Sequence, residues 1–417
     1  MFEFLHAADI HLDSPLRGLE RYEGAPVEEI RLATRRALEN LVQLALDRKV
    51  AFVIIAGDLF DGDWKDYNTG LFFAKQMSRL REGDIQVFIL KGNHDAANKM
   101  TRSIKMPDNV QVFAHAKPQT FHLEAYNLAI HGQSFSTAAV ETNLAQNYPD
   151  AIAGCFNIGV LHTCATGREG HARYAPCSVS DLVAKGYNYW ALGHVHKREE
   201  LNTDPLIIFP GNIQGRHIKE AGPKGCTIIS VDEKHRVTHT FEDLSVLRWE
   251  HCAIDIATAV NGNDIVSLVQ TRLDELLQAY PNLPLAVRVE LVGAGKADSI
   301  LRSDTEHWTN QIRAVAIDSG RDKIWIEKVK VNTTPDQTTS DAGLLDGPIG
   351  ELINVINEFR DDSEQSKLLW AELADLEKKL SPEVKDAMGW KDDSFLSDSL
   401  HDVQDTLLER LSKKEPR

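Results

Sequence analysis

Nine residues of this chain have side chains suited to one kind of chemistry: Asp9 and His11, Asp58, Asn93, His94 and Asp95, His162, and His194 and His196. Most follow short apolar runs, as in FLHAAD, FVIIAGD and VFILKGNH. A polar residue directly after a buried strand sits at the strand's mouth, where open α/β folds keep their reactive groups. Carboxylate, amide oxygen and imidazole together suit divalent first-row metals. Two such ions about 3.5–4 Å apart can activate water and neutralise the oxygens of a phosphate ester, so the chemistry indicated is metal-dependent phosphoester hydrolysis. Asp58 is the best candidate for the bridging acid, because Gly57 before it allows close backbone approach. Asp9 with His11, and His194 with His196, are each separated by one residue. For both members of a pair to ligate, the chain must turn there, and Gly193 gives the second pair that freedom. His6, His115, His122, His131 and His235 read as packed or surface residues. Asp61 and Asp63 read as a solvated acidic loop, with metal contact as the alternative.

Strands and helices in alternation must position these residues. Residues 2–9 read as a strand, 28–48 as an amphipathic helix with Arg31, Arg35 and Arg36 largely on its wet side, and 50–56 as a second strand. Helix 70–82 and strand 85–90 repeat the unit, and continuous β-branched runs of this kind indicate buried parallel strands. Further strands are expected at 110–113, 121–123, 127–131, 156–161 and 187–192. A helix is expected at 137–147, and a Ser-capped one at 178–186. Strands at 205–209, 225–231 and 237–241 complete two sheets packed face to face inside helices. The chain then divides into residues 1–245 carrying the candidate site, a small α+β unit over 246–331, a polar linker over 332–348 and a helical tail over 349–417. The tail is expected to lack the apolar surface for a core of its own and to dock on a partner or on the body.

The 417 residues allow two or three such units, and 42% hydrophobic with 26% charged residues is an ordinary globular composition. Five cysteines at irregular spacing argue against a disulfide framework. No apolar run approaches the roughly 20 residues that span a bilayer, and the start MFEFLHAADIHLD lacks a basic leader, so the expectation is a cytoplasmic protein with no membrane segment. The net charge of −16 is uneven: residues 336–417 hold 20 acidic and 10 basic side chains, leaving −6 on the first 335. A basic rim near the motifs is therefore compatible with the total charge. Its candidates are Arg17, Arg21, Lys99, Arg102, Lys105, Arg168, Arg173, Lys197, Arg198, Arg216, His217 and Lys219.

The order D-x-H, G-D, G-N-H-D, H, G-H-x-H resembles that of the calcineurin-like metallophosphoesterases. DIHLD, GDLFD, GNHD and GHVHK are most similar to the SbcD-type DNA repair nuclease subunits, in particular their YhaO-type branch, over about residues 1–245. The resemblance implies an α/β fold, a two-sheet α/β/β/α metallophosphoesterase sandwich with a small α+β capping domain and a helical C-terminal tail. It implies a first metal held by Asp9, His11 and His196, a second held by Asn93, His162 and His194, and Asp58 bridging them. His94 would contact the phosphate and protonate or position the leaving oxygen, with Asp95 fixing its tautomer. Two Mn²⁺ ions are the implied cofactors; the ligand set alone also admits Fe, Zn or Co. The implied partners are DNA and an SbcC-like or YhaN-like coiled-coil ATPase, with the tail as its docking site, although the tail equally suits homodimerisation or intrachain packing. Asp61 stands where the nearest nuclease relatives carry a histidine. The alternatives are a phosphodiesterase or phosphatase for a small nucleotide or metabolite, and a non-catalytic scaffold subunit.

Overall fold

Alternation along the first strands explains the layers. The structure, a computed structural model, describes residues 1–14, 27–61, 67–97, 105–165, 174–320, 323–335, 348–361 and 363–380, with positions 385, 390, 395, 399, 400, 403, 404 and 407. In chain order the strands are β1 (Phe2–Ala7), β2 (Phe52–Ala56), β3 (Gln86–Leu90), β4 (Val110–Val112), β5 (Gln119–Leu123), β6 (Leu128–Gly132), β7 (Phe156–His162), β8 (Tyr189–Gly193), β9 (Glu199–Thr203), β10 (Leu206–Phe209), β11 (Gly225–Val231), β12 (Val237–Asp243), β13 (Arg248–Asp255), β14 (Leu285–Ala294) and β15 (Ile324–Thr334). The helices are α1 (Val27–Arg48), α2 (Tyr67–Glu82), α3 (Asn93–Ala97), α4 (Val179–Val183), α5 (Gly262–Ala279), α6 (Asp298–Ser303), α7 (Thr305–Gly320), α8 (Pro348–Asp361) and α9 (Ser363–Lys379).

One sheet has the order β12-β11-β1-β2-β3-β4 and a second β5-β6-β7-β8-β10-β9. Successive strand side chains point to opposite faces. In the first sheet Leu5, Val53, Ile55, Val87 and Ile89 pack on Leu38, Leu41, Val42 and Ala45 of α1 and on Phe73 and Met77 of α2. Their neighbours Phe4, Phe52, Ile54, Phe88 and Leu90 meet Ile158, Val160, Tyr189, Ala191 and Ile208 of the second sheet. Trp190, Leu192, Ile207 and Phe209 face outward from that sheet, under Leu144, Tyr148 and Leu182. Both faces of each central strand are thus covered, so its sequence is largely apolar, as in FVIIA of β2 and YWALG of β8. His6 ties the sheets together rather than binding an ion: its Nδ1 lies 2.7 Å from Tyr189 Oη and its Nε2 3.1 Å from the Leu192 carbonyl oxygen.

Three expectations about single elements and residues change. The 137–147 helix is only a 3-10 turn at Leu144–Asn147. Strand β9, an edge strand pairing antiparallel with β10, was not anticipated from its polar sequence EELNT. Arg35 is not a solvation residue: its Nε donates to Asp13 Oδ1 at 2.7 Å, and Thr69 Oγ1 donates to the same carboxylate. The Ser178 cap is present as a reciprocal capping box with Asp181.

By compactness, residues 1–293 with 299–333 form one unit and residues 294–298 with 334–417 another. The first includes the small sheet β13-β14-β15, whose β13 and β14 run parallel. The second contains the helical tail, which, against expectation, has a small core of its own. Ile356 and Leu400 are buried with Leu352, Phe359, Trp370, Leu373 and Leu407 around them, and Trp370, Trp390 and Phe395 pack ring on ring. Three large aromatic rings supply the area that the thin apolar stripe lacked. No helix among the described residues is long and apolar enough to cross a membrane.

Candidate metal centre

The nine candidate residues come together where the parallel strands of the two large sheets end. The loop after β1 runs beside the loop after β2, with Asp9, His11 and Leu12 N–H groups donating to the Gly57, Asp58 and Leu59 carbonyls at 3.0, 3.0 and 2.9 Å. Asp9, His11, Asp58 and His194 have φ of 50°, 45°, 49° and 103°, in the left-handed region that side chains avoid and functional sites tolerate. These turns let both members of each pair face the same centre. Gly57 and Gly193 are needed for contact: a Cβ at Gly57 would lie 2.2 Å from His162 Nδ1, and one at Gly193 1.8 Å from the Ala56 carbonyl oxygen.

Three triads result, each with ligand atoms within 4.8 Å of one another: Asp9–His11–His196, Asp58–His162–His194 and, on the outer side of the His11 ring, His11–Asp61–His94. Asp58 Oδ2 lies 3.9 Å from His11 Nε2 and 3.3 Å from His162 Nε2, so one carboxylate oxygen reaches toward both groups. Asn93 Oδ1 is 3.0 Å from the same His162 Nε2. The backbone N–H of His94 donates to Asp58 Oδ1 at 3.0 Å, and that of His194 to both Asp9 oxygens at 3.0 Å.

Hydrogen bonds on the far side of three rings show that the donor set fits divalent cations. His11 Nδ1 donates to Asp61 Oδ1 at 2.7 Å, His196 Nδ1 to Glu220 Oε1 at 2.6 Å and His162 Nδ1 to the Ala56 carbonyl at 3.0 Å. Each bond takes the Nδ1 proton, so Nε2 is the nitrogen aimed inward, as metal-ligating histidines require; on His162 an ion would displace the proton that the Asp58 and Asp9 charges hold there. His11 Nε2 and His196 Nε2 then face each other at 3.1 Å, an arrangement of two lone pairs that a cation would relieve.

Residues 2–198 match the calcineurin-like phosphoesterase family, and residues 249–334 match the middle domain of metallophosphoesterase YhaO. The metallophosphoesterase YhaO of Bacillus subtilis is 36% identical over 294 residues, covering 70% of this chain and 71% of that one. This chain is a calcineurin-like metallophosphoesterase. More distant relatives are DNA double-strand break repair proteins Mre11. That of Methanopyrus kandleri is 21% identical over 353 residues (77% of this chain, 69% of that one), and that of Sulfolobus acidocaldarius 22% over 396 residues (88% and 97%).

In this metallophosphoesterase the partner expected for His94 is replaced by another acid. Asp95 is buried, and its carboxylate accepts the backbone N–H groups of Leu59, Gly92 and Phe60 at 3.1, 3.1 and 3.0 Å. It staples two site loops and does not hold the imidazole. Asn93, His94 and Asp95 lie on the helical turn α3, where adjacent side chains project apart, so Asp95 cannot face the ring beside it. The acid at His94 is Asp61, with Oδ1 3.1 Å from Nδ1. Asp61 is therefore part of the centre, not a solvated loop: Oδ1 also takes the His11 bond, and Oδ2 accepts from Ser14 Oγ and lies 3.6 Å from Arg216 Nη1.

Electrostatics follow this wiring. Burial opposes charge on Asp58, yet the charge and hydrogen bond of His162, then His11 and His94, hold its carboxyl below the usual range. Burial likewise lowers His162, but Asp58 and Asp9 outweigh it and push the imidazole up to about 9. The hydrogen bond to Asp61 raises His94. Against its burial, Asp61 is held low by hydrogen bonds from His11 and His94. Burial and the nearby Asp58 charge push Asp95 up to about 6, against its three backbone donors.

Sequence reasoning missed Glu220 and Lys224, which are buried beside His196. The signal available was the i, i+4 spacing of Arg216 and Glu220. Arg216, expected on a basic rim, is taken up by Glu220 at 2.9 Å and by Asp61. Arg17, Arg21, Asp63, Lys99, Arg102, Arg168 and Arg173 lie outside the described residues.

Proposed function

We propose that this metallophosphoesterase is a dinuclear metal-dependent nuclease subunit acting in DNA repair in the cytoplasm, with two Mn²⁺ ions as its cofactors. The observation that carries the reading is Asp58, reaching toward His11 of the Asp9–His11–His196 triad and His162 of its own, while His94 belongs to neither and joins His11 through Asp61. Asp9, His11 and His196 would hold the first ion, Asn93, His162 and His194 the second, and Asp58 would bridge. When bound, the ions supply Lewis acidity for water activation and neutralise phosphoryl charge. His94, whose side chain is 42% exposed, reaches solvent where a substrate can meet it. With Nδ1 anchored on Asp61, it presents Nε2 to a departing ester oxygen as a proton donor. Asp61 keeps its charge, but Arg216 at 3.6 Å and His94, when protonated, at 3.1 Å offset its repulsion of a phosphate.

DNA as the substrate draws support from the relatives named as double-strand break repair proteins. Cytoplasmic placement draws support from five free cysteines. Residues 1–245 form the nuclease domain in this reading and 246–331 the capping domain. A linker over 332–348 leads to the tail over 349–417, which docks a coiled-coil ATPase. Deleting residues 340–417 is expected to spare hydrolysis of a small ester while weakening association with the ATPase or a second copy.

The test is Mn²⁺-dependent degradation of linear and closed-circular DNA beside bis-(p-nitrophenyl) phosphate and small nucleotides, with His94→Ala as control. The reading expects DNA to be cut and all turnover to fall in H94A. Turnover of small esters alone, with both DNA forms intact even when the ATPase is added, would favour a small-molecule phosphodiesterase.

A further inference from the structure

The segment from Gly211 to Lys224 wraps the His194–His196 loop more tightly than a connection between β10 and β11 requires. Gly211, at φ +79°, lies so close that a Cβ there would sit 3.0 Å from the His196 carbonyl oxygen. That oxygen accepts from Lys224 Nζ at 2.8 Å and from the Asn212 N–H at 3.3 Å. The His196 ring is gripped from the same segment, by Glu220 Oε1 at 2.6 Å. Glu220 Oε2 accepts from Asn212 Nδ2 at 2.9 Å and from the Arg216 N–H at 2.8 Å. The small sheet braces the segment: Trp249 Nε1 donates to the Gly215 carbonyl at 3.0 Å, and Gln214 Nε2 to that of Leu247 at 2.6 Å. Glu220 and Lys224 are only 5% and 7% exposed, and burying two charges is costly unless their geometry serves a purpose.

We propose that Glu220 is a positioning residue for the first metal, its carboxylate locking His196 in the Nδ1–H tautomer so that Nε2 is presented to the ion, with residues 211–224 as the clasp that holds both. The inference rests on His196 being a ligand. Glutamine at 220 would turn an amide N–H toward donors on one side or the other, so even this isosteric change disturbs the clasp.

The test titrates Mn²⁺ alone into the full, metal-free chain by calorimetry, with H196A and E220Q beside the wild type. Two binding steps are expected in the wild type, one of them lost in H196A. E220Q should weaken that same step by about 10–100-fold and leave the other unchanged, a selectivity that general loosening would not produce. Wild-type affinity at both steps in E220Q, with one lost in H196A, would sink the clasp and spare the metal reading. Both steps intact in H196A would sink the ligand assignment and the clasp together. Should E220Q fail to fold, ¹⁵N spectra of the imidazoles in the metal-free wild type decide. An Nδ1–H tautomer for His196 is the expected result, and an Nε2–H tautomer overturns the proposal.

Discussion

Two parallel β–α–β units in the same compact body, β1-α1-β2 and β13-α5-β14, have come to different ends. Both pair parallel strands, and both place an acid at or just after a strand's end, Asp58 beyond β2 and Asp255 closing β13. Asp58 meets imidazoles from other strand ends. Asp255 Oδ1 instead accepts the Ala257 N–H at 2.9 Å and shapes a local turn. His251 on β13 pairs with Glu290 on the exposed face of the small sheet. Among the described residues, the groups able to hold a metal lie at the ends of the two large sheets and not on the small one. An acid after a buried strand is therefore a common local event. Convergence of strand ends from two facing sheets is what makes it a site.

The contrast can be broken by substitution. Asp58→Asn should lower turnover of a small phosphodiester by more than about 10³-fold, measured as initial rates with Mn²⁺. Asp255→Asn should leave that rate unchanged, and equal losses in the two variants would erase the distinction. His94→Ala is expected to cost about 10²–10⁴-fold in turnover with Mn²⁺ stoichiometry intact; loss of an ion in H94A would make the ring a ligand. Asp95→Asn should act on stability first, by about 1–3 kcal/mol in denaturant unfolding, because an amide cannot accept all three backbone N–H groups. A fully stable D95N that has lost activity would return Asp95 to the chemistry. The smallest effect belongs to the small sheet, where His251→Ala should change stability by less than about 0.5 kcal/mol, the His251 side chain being about half exposed.

Much of this arrangement was legible because each candidate ligand sits at or just beyond an apolar run, and a fully buried parallel strand leaves few places for a polar residue except its end. Gly57 was readable as a position of close approach, where it makes room for the His162 ring; Gly193 was expected to supply the turn, but it makes room for the Ala56 carbonyl while His194 takes the left-handed backbone. What could not be read was the outer wiring. Asp61 and Asp95 are both acids near motif residues, and which one serves His94 depends on the helical turn at Asn93–Ala97 and on the left-handed backbone at Asp58. Arg216 and Glu220 show only an i, i+4 spacing in an otherwise patternless loop, and what that pair serves appears only when β10 and β11 bring it to His196. Arg35 looked solvated because its partner, Asp13, lies 22 residues away in sequence.

The central claim is that Asp58 joins two ions while His94 stands outside them. Electron paramagnetic resonance of the Mn²⁺-loaded chain tests it most directly. The account predicts two ions per chain with an exchange-coupled signal in wild type and in H94A, and loss of the coupling in D58N. A single uncoupled ion in the wild type, or coupling that survives in D58N, would contradict it.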